Sequence, residues 1–307
     1  MSLFRYLYLR LAVLILRGLV KLRANIDPSY DYIQHIPSRD SGRNIIAHAY
    51  YQPRSESENY KPSPVLINFF GCGYTLPLHG NSSQFCREIS QKTGCIVLDV
   101  SYRLAPENPF PAQLHDAEDV IKWVLAHPDK FDPSQISVSG FSSGGNLALS
   151  IVSSKFTPEI FHSVIAFYPG VESYRDPGTL VAPQPGGRPM PPFILRVFFG
   201  CWIPDGVDMR DPRISPGLAD AERFPRNVLI ITAGHDSLAE EAERLAEKLR
   251  VDPGRNVVAE RMDRCNHGWD MKAVPGTRDW DLRCKAYDMA VEMIGTENLR
   301  EGRRSSS

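Results

Sequence analysis

No two of the six cysteines (Cys72, Cys86, Cys95, Cys201, Cys265 and Cys284) are spaced as a C-x-x-C pair. The sequence therefore offers neither a zinc-finger arrangement nor a dense disulfide framework, and free thiols are expected. Charge of one sign is also lacking: 35 Lys and Arg stand against 36 Asp and Glu, for a formal net charge of -1. A near-neutral chain has no bulk attraction for nucleic acid, so a small-molecule partner is expected. No internal repeat is visible, and no uncharged apolar run reaches the roughly 20 residues that a membrane-spanning helix needs. The apolar stretch from Leu3 to Val20 is broken by Arg5, Arg10 and Arg17, which leaves Leu11 to Leu16 as its longest uncharged core. At helical spacing Arg10, Arg17 and Lys21 share one face while leucines fill the rest. We expect a helix packed on its own protein, with peripheral membrane contact as the alternative. No small-residue cleavage site follows this stretch, so a cytoplasmic chain is expected rather than a secreted one. Nothing in the sequence calls for a cofactor or a metal, and a homodimer is left open.

What is present suits one large α/β domain. Apolar residues make up 42% of the chain and charged ones 23%, enough for a sizeable core. Short β-branched runs alternate with longer helical patterns, which predicts a mainly parallel sheet flanked by helices. The expected strands are Ile45–Tyr51, Val65–Phe70, Cys95–Tyr102, Ile136–Ser139, Val164–Tyr168, Val228–Thr232 and Val257–Met262. Helices are expected over Ser82–Lys92, Ala112–Ala126, Asn146–Ser154, Leu238–Arg250 and Arg283–Ile294. The division is an N-terminal segment over 1–35, the α/β domain over 36–299 and a disordered polar tail over 300–307. Residues 170–225, rich in proline and glycine around the apolar patch FILRVFFGCW, break the rhythm and are expected as a lid or binding loop.

The sharpest chemical signal is GFSSG at Gly140–Gly144, a G-x-S-x-G pattern between an expected strand and an expected helix. Such a turn lifts the serine hydroxyl above the sheet, with a helix N-terminus beneath it. Ser142 is thus a candidate nucleophile. A hydroxyl is a weak one and needs a base, which in turn needs orienting. Asp236, just past the strand Val228–Thr232, and His267, after the strand Val257–Met262, follow in the order serine, acid, histidine. Strand ends on one rim are where open α/β sheets bind ligands. His235 is the rival base, but it adjoins Asp236 in sequence and is poorly placed to be oriented by it. Asp99 has a buried-strand setting and ranks below Asp236 as the acid, with a structural role expected. Donors for a developing oxyanion are expected from FFGCGY at Phe69–Tyr74, through Gly71, Cys72 and Gly73, together with Ser143. Cys72 itself is expected as a space-filler, because no partner base for a thiolate adjoins it.

With these motifs in view, the sequence resembles the hormone-sensitive-lipase branch of the α/β-hydrolases, which includes arylacetamide deacetylase and many carboxylesterases. YRLAPENPFPA at Tyr102–Ala112, GFSSGGNLAL at Gly140–Leu149, HDSL at His235–Leu238 and NHGW at Asn266–Trp269 carry the likeness. The resemblance implies an α/β-hydrolase fold with a cap built from the N-terminal helices and an insertion after the sixth strand. Hydrolysis of small to medium carboxylic esters through a Ser-His-Asp triad and an acyl-enzyme is expected, and the aromatic and apolar content of the expected cap points to a hydrophobic acyl or alcohol portion. Two departures stand out. The branch's HGGG loop reads FGCG, with Phe70 for histidine and Cys72 for glycine, and Phe141 replaces an aspartate. The FGCG loop keeps open a catalytically weak small-molecule binder, and a cap that excludes solvent keeps open acyl transfer to an alcohol by the same triad.

Overall fold

The computed structural model of the chain describes residues 3–23, 26, 29–52 and 61–295. The expected tail over 300–307 lies outside them. Helix α1 (Leu3–Arg23) precedes an eight-stranded sheet in the order β1-β2-β4-β3-β5-β6-β7-β8. Strands β1 (Tyr32–Pro37) and β2 (Asn44–Tyr50) form an antiparallel edge, and β2 runs antiparallel to β4 (Ile96–Ser101). From β4 onward every pairing is parallel, through β3 (Ser63–Phe69), β5 (Phe131–Phe141), β6 (Ser163–Phe167), β7 (Asn227–Ala233) and β8 (Asn256–Met262).

The central strands are buried on both faces because helices cover both. On one face lie α2 (Ser83–Thr93) and α7 (Arg278–Gly295), whose Phe85, Ile89, Ala286 and Tyr287 pack on Leu66, Val97 and Ile231. On the other lie α3 (Ala112–Leu125), α4 (Ser143–Ser154) and α6 (Ala239–Arg250), packed on Val65, Ile67 and Leu98. Adjacent residues such as Val65 and Leu66 join different cores, as the two-residue period of a strand requires. Helix α6 carries Glu240 and Glu241 in its first turn and Lys248 and Arg250 in its last. That distribution complements the helix dipole.

Two elements differ from expectation. Strand β1 was not anticipated and straddles the boundary expected at residue 35. Its apolar residues Ile33 and Ile36 stand three apart, off the two-residue period, and only Ile36 is fully buried. The patch FILRVFFGCW, within the stretch expected as a lid or binding loop, forms most of a helix that was not among those expected, α5 (Pro192–Trp202), set within the insertion that follows β6. Helix α1 packs on α5 through Leu9 and Val13, against a core that includes Val197 and Cys201. Arg17 ties α1 to the loops below by donating to the carbonyls of Thr75 and Ala105 and pairing with Glu107. No helix among the described residues is long and apolar enough to cross a membrane.

Candidate active site

Strand β5 runs into α4 through Ser142, which adopts φ 51° and ψ -117°. A non-glycine residue seldom occupies that region, and the elbow is held open by its neighbours. A Cβ on Gly140 would stand 2.1 Å from the Gly144 carbonyl oxygen, and one on Gly144 would stand 2.0 Å from that of Phe69. Only hydrogen fits at both positions. Phe141 fills the space of the absent aspartate by stacking on Phe167 at 4.5 Å between ring centres, with Phe85 edge-on at 5.0 Å.

Loops at the ends of β7 and β8 bring the partners to this elbow. His267 Nε2 lies 2.8 Å from Ser142 Oγ, and His267 Nδ1 lies 2.6 Å from Asp236 Oδ2. A carboxylate only accepts, so Nδ1 carries the hydrogen and Nε2 is left to accept from the serine hydroxyl. Asp236 is fully buried, and its other oxygen accepts the amide of Leu238 at 3.2 Å. His235 takes no part: it is buried beneath the insertion, where a Cβ on Gly187 would stand 2.2 Å from its own Cβ.

A second polar layer, absent from the sequence reading, holds the histidine loop. Tyr168 packs edge-on to His267 at 4.7 Å and donates its hydroxyl to Asp270 Oδ1 at 2.7 Å. Tyr287 of α7 donates to the other oxygen at 2.9 Å. Burial pushes the Asp270 carboxyl up from its ordinary range, and the two phenols offset part of that rise. Asp270 stands three residues after His267, so its place next to the NHGW motif was the available signal.

The glycine loop after β3 reaches the same rim. Its FGCG departure is absorbed by packing: Phe70 stacks on Tyr102 at 4.6 Å, and the Tyr102 hydroxyl donates to the Phe70 carbonyl at 2.6 Å. Tyr102 thus braces the loop, and the adjoining Arg103 pairs with the buried Asp116. This gives the YRLAP run a structural role at the glycine loop. Of the candidate donors, Cys72 spends its amide on Ser143 Oγ at 3.0 Å, while Gly73 and Ser143 border a cavity that opens on Ser142. Gly71 instead presses on the elbow, where an added Cβ would meet the Phe141 carbonyl oxygen at 2.8 Å. The Cys72 thiol is pushed up to about 11 by burial, which leaves it protonated and inert.

The cavity measures about 40 Å³ and is walled by Leu195, Phe198, Phe199 and Trp202 of α5 with Met190 and Leu238. Phe198 crosses the glycine loop so closely that a Cβ on Gly73 would come within 2.4 Å of its ring. Asn146 ties the floor together by accepting from the Tyr74 hydroxyl and donating to the carbonyls of Gly170 and Ile214.

Among the described residues, one group has the residue types of a metal site: His48, His79 and Asp99, around the β2–β4 pairing. The two imidazoles are stacked at 3.9 Å, so their lone pairs run side by side instead of converging. His79 Nε2 lies 2.9 Å from the Asp99 carbonyl oxygen and must donate to it, which removes that nitrogen as a ligand. Asp99 has the structural setting expected of it, accepting from Asn68 Nδ2 at 2.8 Å.

Residues 66–271 match the family described as the alpha/beta hydrolase fold. That span is more than half of the chain, and the chain belongs to this family. Carboxylic ester hydrolase LipN of Mycobacterium tuberculosis is 31% identical over 211 residues, covering 64% of this chain and 56% of LipN. The chain thus spans little more than half the length of that relative. Probable carboxylesterase 8 of Arabidopsis thaliana is 29% identical over 271 residues, 76% of this chain and 77% of its own. Among solved structures, EstE1, a thermostable carboxylesterase cloned from a metagenomic library, is similar with 27% identity and a TM-score of 0.74. That likeness covers 94% of this chain and 96% of EstE1.

Proposed function

We propose that the protein is a carboxylic ester hydrolase in which Ser142 is the nucleophile, His267 the general base and Asp236 the group that orients it. The carrying observation is the unbroken path Ser142 Oγ, His267 Nε2, His267 Nδ1, Asp236 Oδ2, with 2.8 and 2.6 Å at its two contacts. Ser142 Oγ attacks the ester carbonyl while Nε2 takes its proton. The negative oxygen is met by the amides of Gly73 and Ser143, joined by Cys72 once its amide leaves Ser143 Oγ. His267 then protonates the departing alkoxide, and a water activated by the same nitrogen releases the acid from the acyl-enzyme. The names of the relatives above favour water as the acyl acceptor over an alcohol. The connected triad favours turnover over binding alone.

The cavity beside Ser142 selects the acyl group. At about 40 Å³ the cavity is small, and its walls limit the length of chain it can take. Its largely apolar wall suits a short aliphatic acyl chain, which makes acetyl and propionyl esters the favoured substrates. The test is a series of p-nitrophenyl esters from acetate to octanoate. The expected result is a maximum of kcat/KM at two or three carbons that vanishes in Ser142→Ala. Turnover surviving in that variant, or a maximum at octanoate, contradicts the reading.

A further inference from the structure

Helix α1 has two apolar sides, and the cap accounts for only one. Leu9 and Val13 are buried against the body of the protein. On the opposite side Phe4, Leu7, Leu11, Leu14, Ile15 and Leu22 face outward with 56% to 84% of their surface exposed. By the 100° step of an α-helix these six fall within one stripe, and no charged residue interrupts it. Single exposed leucines are ordinary on a protein surface. A contiguous row along a helix of 21 residues marks an interaction face.

The charge pattern identifies what covers it. Helix α1 holds Arg5, Arg10, Arg17, Lys21 and Arg23 and no acidic residue. Arg5 and Arg17 pair with Asp205 and Glu107 of the body, while Arg10 and Lys21 fall along one border of the stripe. A second copy of the chain laid against this face would bring like-charged borders together, since neither helix has an acid to offer. A bilayer with anionic headgroups offers both an apolar medium for the stripe and negative charge along its basic border. Depth is limited by the same geometry: with one side fixed to the protein, the helix lies in the interface and does not cross it.

We propose that the outward face of α1 docks this protein on anionic membrane surfaces. A groove of about 710 Å³ runs between α1 and α5, lined by Arg5, Tyr8, Phe193, Arg196 and Phe199. Phe199 also lines the cavity over Ser142. The docking face rests on α1 alone and stands apart from the chemistry assigned to Ser142.

The test is flotation of the full chain with vesicles of pure phosphatidylcholine and of phosphatidylcholine carrying about one third phosphatidylserine. The wild type and Ser142→Ala are expected to float equally with the phosphatidylserine vesicles, and less with the neutral ones. Leu11→Asp with Leu14→Asp should weaken partitioning by about a hundredfold, since two desolvating leucines become charges. Both positions are exposed, so p-nitrophenyl acetate turnover in solution stays at the wild-type level and reports folding. Leu22→Asp, at the other end of the stripe, gives a smaller loss in the same direction. Absence of flotation by the wild type overturns the proposal. So does flotation undiminished in the double variant, or a dimer seen by light scattering that the double variant dissolves without any lipid binding.

Discussion

At the elbow, Ser143 carries a hydroxyl that accepts the amide of Cys72 at 3.0 Å, an amide of the loop proposed to meet the developing oxyanion. A donor engaged in this way must be released or shared before it can serve the tetrahedral intermediate, and one full donor is worth about 2.7–4 kcal/mol. Ser143→Ala is therefore expected to raise kcat several-fold in steady-state kinetics, with little change in KM. Asp236→Asn leaves the buried volume intact but reverses the hydrogen on His267 Nδ1. It should lower kcat by about ten-thousandfold, as misdirected tautomers do in such triads. The positions of Ser142, Asp236 and His267 were legible in the sequence because each follows a strand end within a recognisable run. Ser143 was legible as an amide donor, but its side chain's claim on the Cys72 amide was not, because that contact joins residues 71 positions apart. Tyr168 and Tyr287 were hidden for the same reason, meeting Asp270 only once β6, the histidine loop and α7 are assembled.

Among the elements, α5 decides what reaches the serine. The sequence placed its apolar patch in a stretch expected as a lid or binding loop, and the alternation of strands and helices was readable from period and length. What periodicity does not encode is the docking angle that lays Phe198 across Gly73 and stacks Trp202 on Tyr74 at 4.0 Å between ring centres. Phe198→Ala removes a wall of the cavity proposed to hold the acyl group. It is expected to raise kcat/KM for p-nitrophenyl hexanoate about tenfold while leaving the acetate ester within about threefold, a difference in line with one or two methylenes of pocket. Strand β1 escaped the sequence reading because an edge strand with one fully buried residue needs little apolar patterning.

Across the whole molecule, the insertion is anchored to α6 by Glu241, whose Oε1 accepts the amides of Val171 at 2.6 Å and Glu172 at 3.2 Å. Burial raises its carboxyl from an ordinary 4.5 to about 7, with the two amides and Arg175 opposing the rise and Glu172 adding to it. A group raised in the folded state binds its proton more tightly there than in the unfolded chain. The associated stability is complete below about pH 4.5 and is lost as pH climbs through about 7, on the order of 3 kcal/mol in all. Glu241→Gln keeps an acceptor for both amides without the charge. Its thermal midpoint should exceed that of the wild type at pH 8, and the two should converge at pH 5, as followed by scanning calorimetry.

The account stands on one serine being activated by one histidine, and covalent labelling addresses that pair directly. After incubation with a fluorophosphonate, intact mass spectrometry should give a single adduct per chain, and peptide mapping should place it on Ser142. Labelling should be lost in Ser142→Ala and slowed by at least about a thousandfold in His267→Ala. An adduct on any other residue, or a labelling rate indifferent to His267, would contradict it.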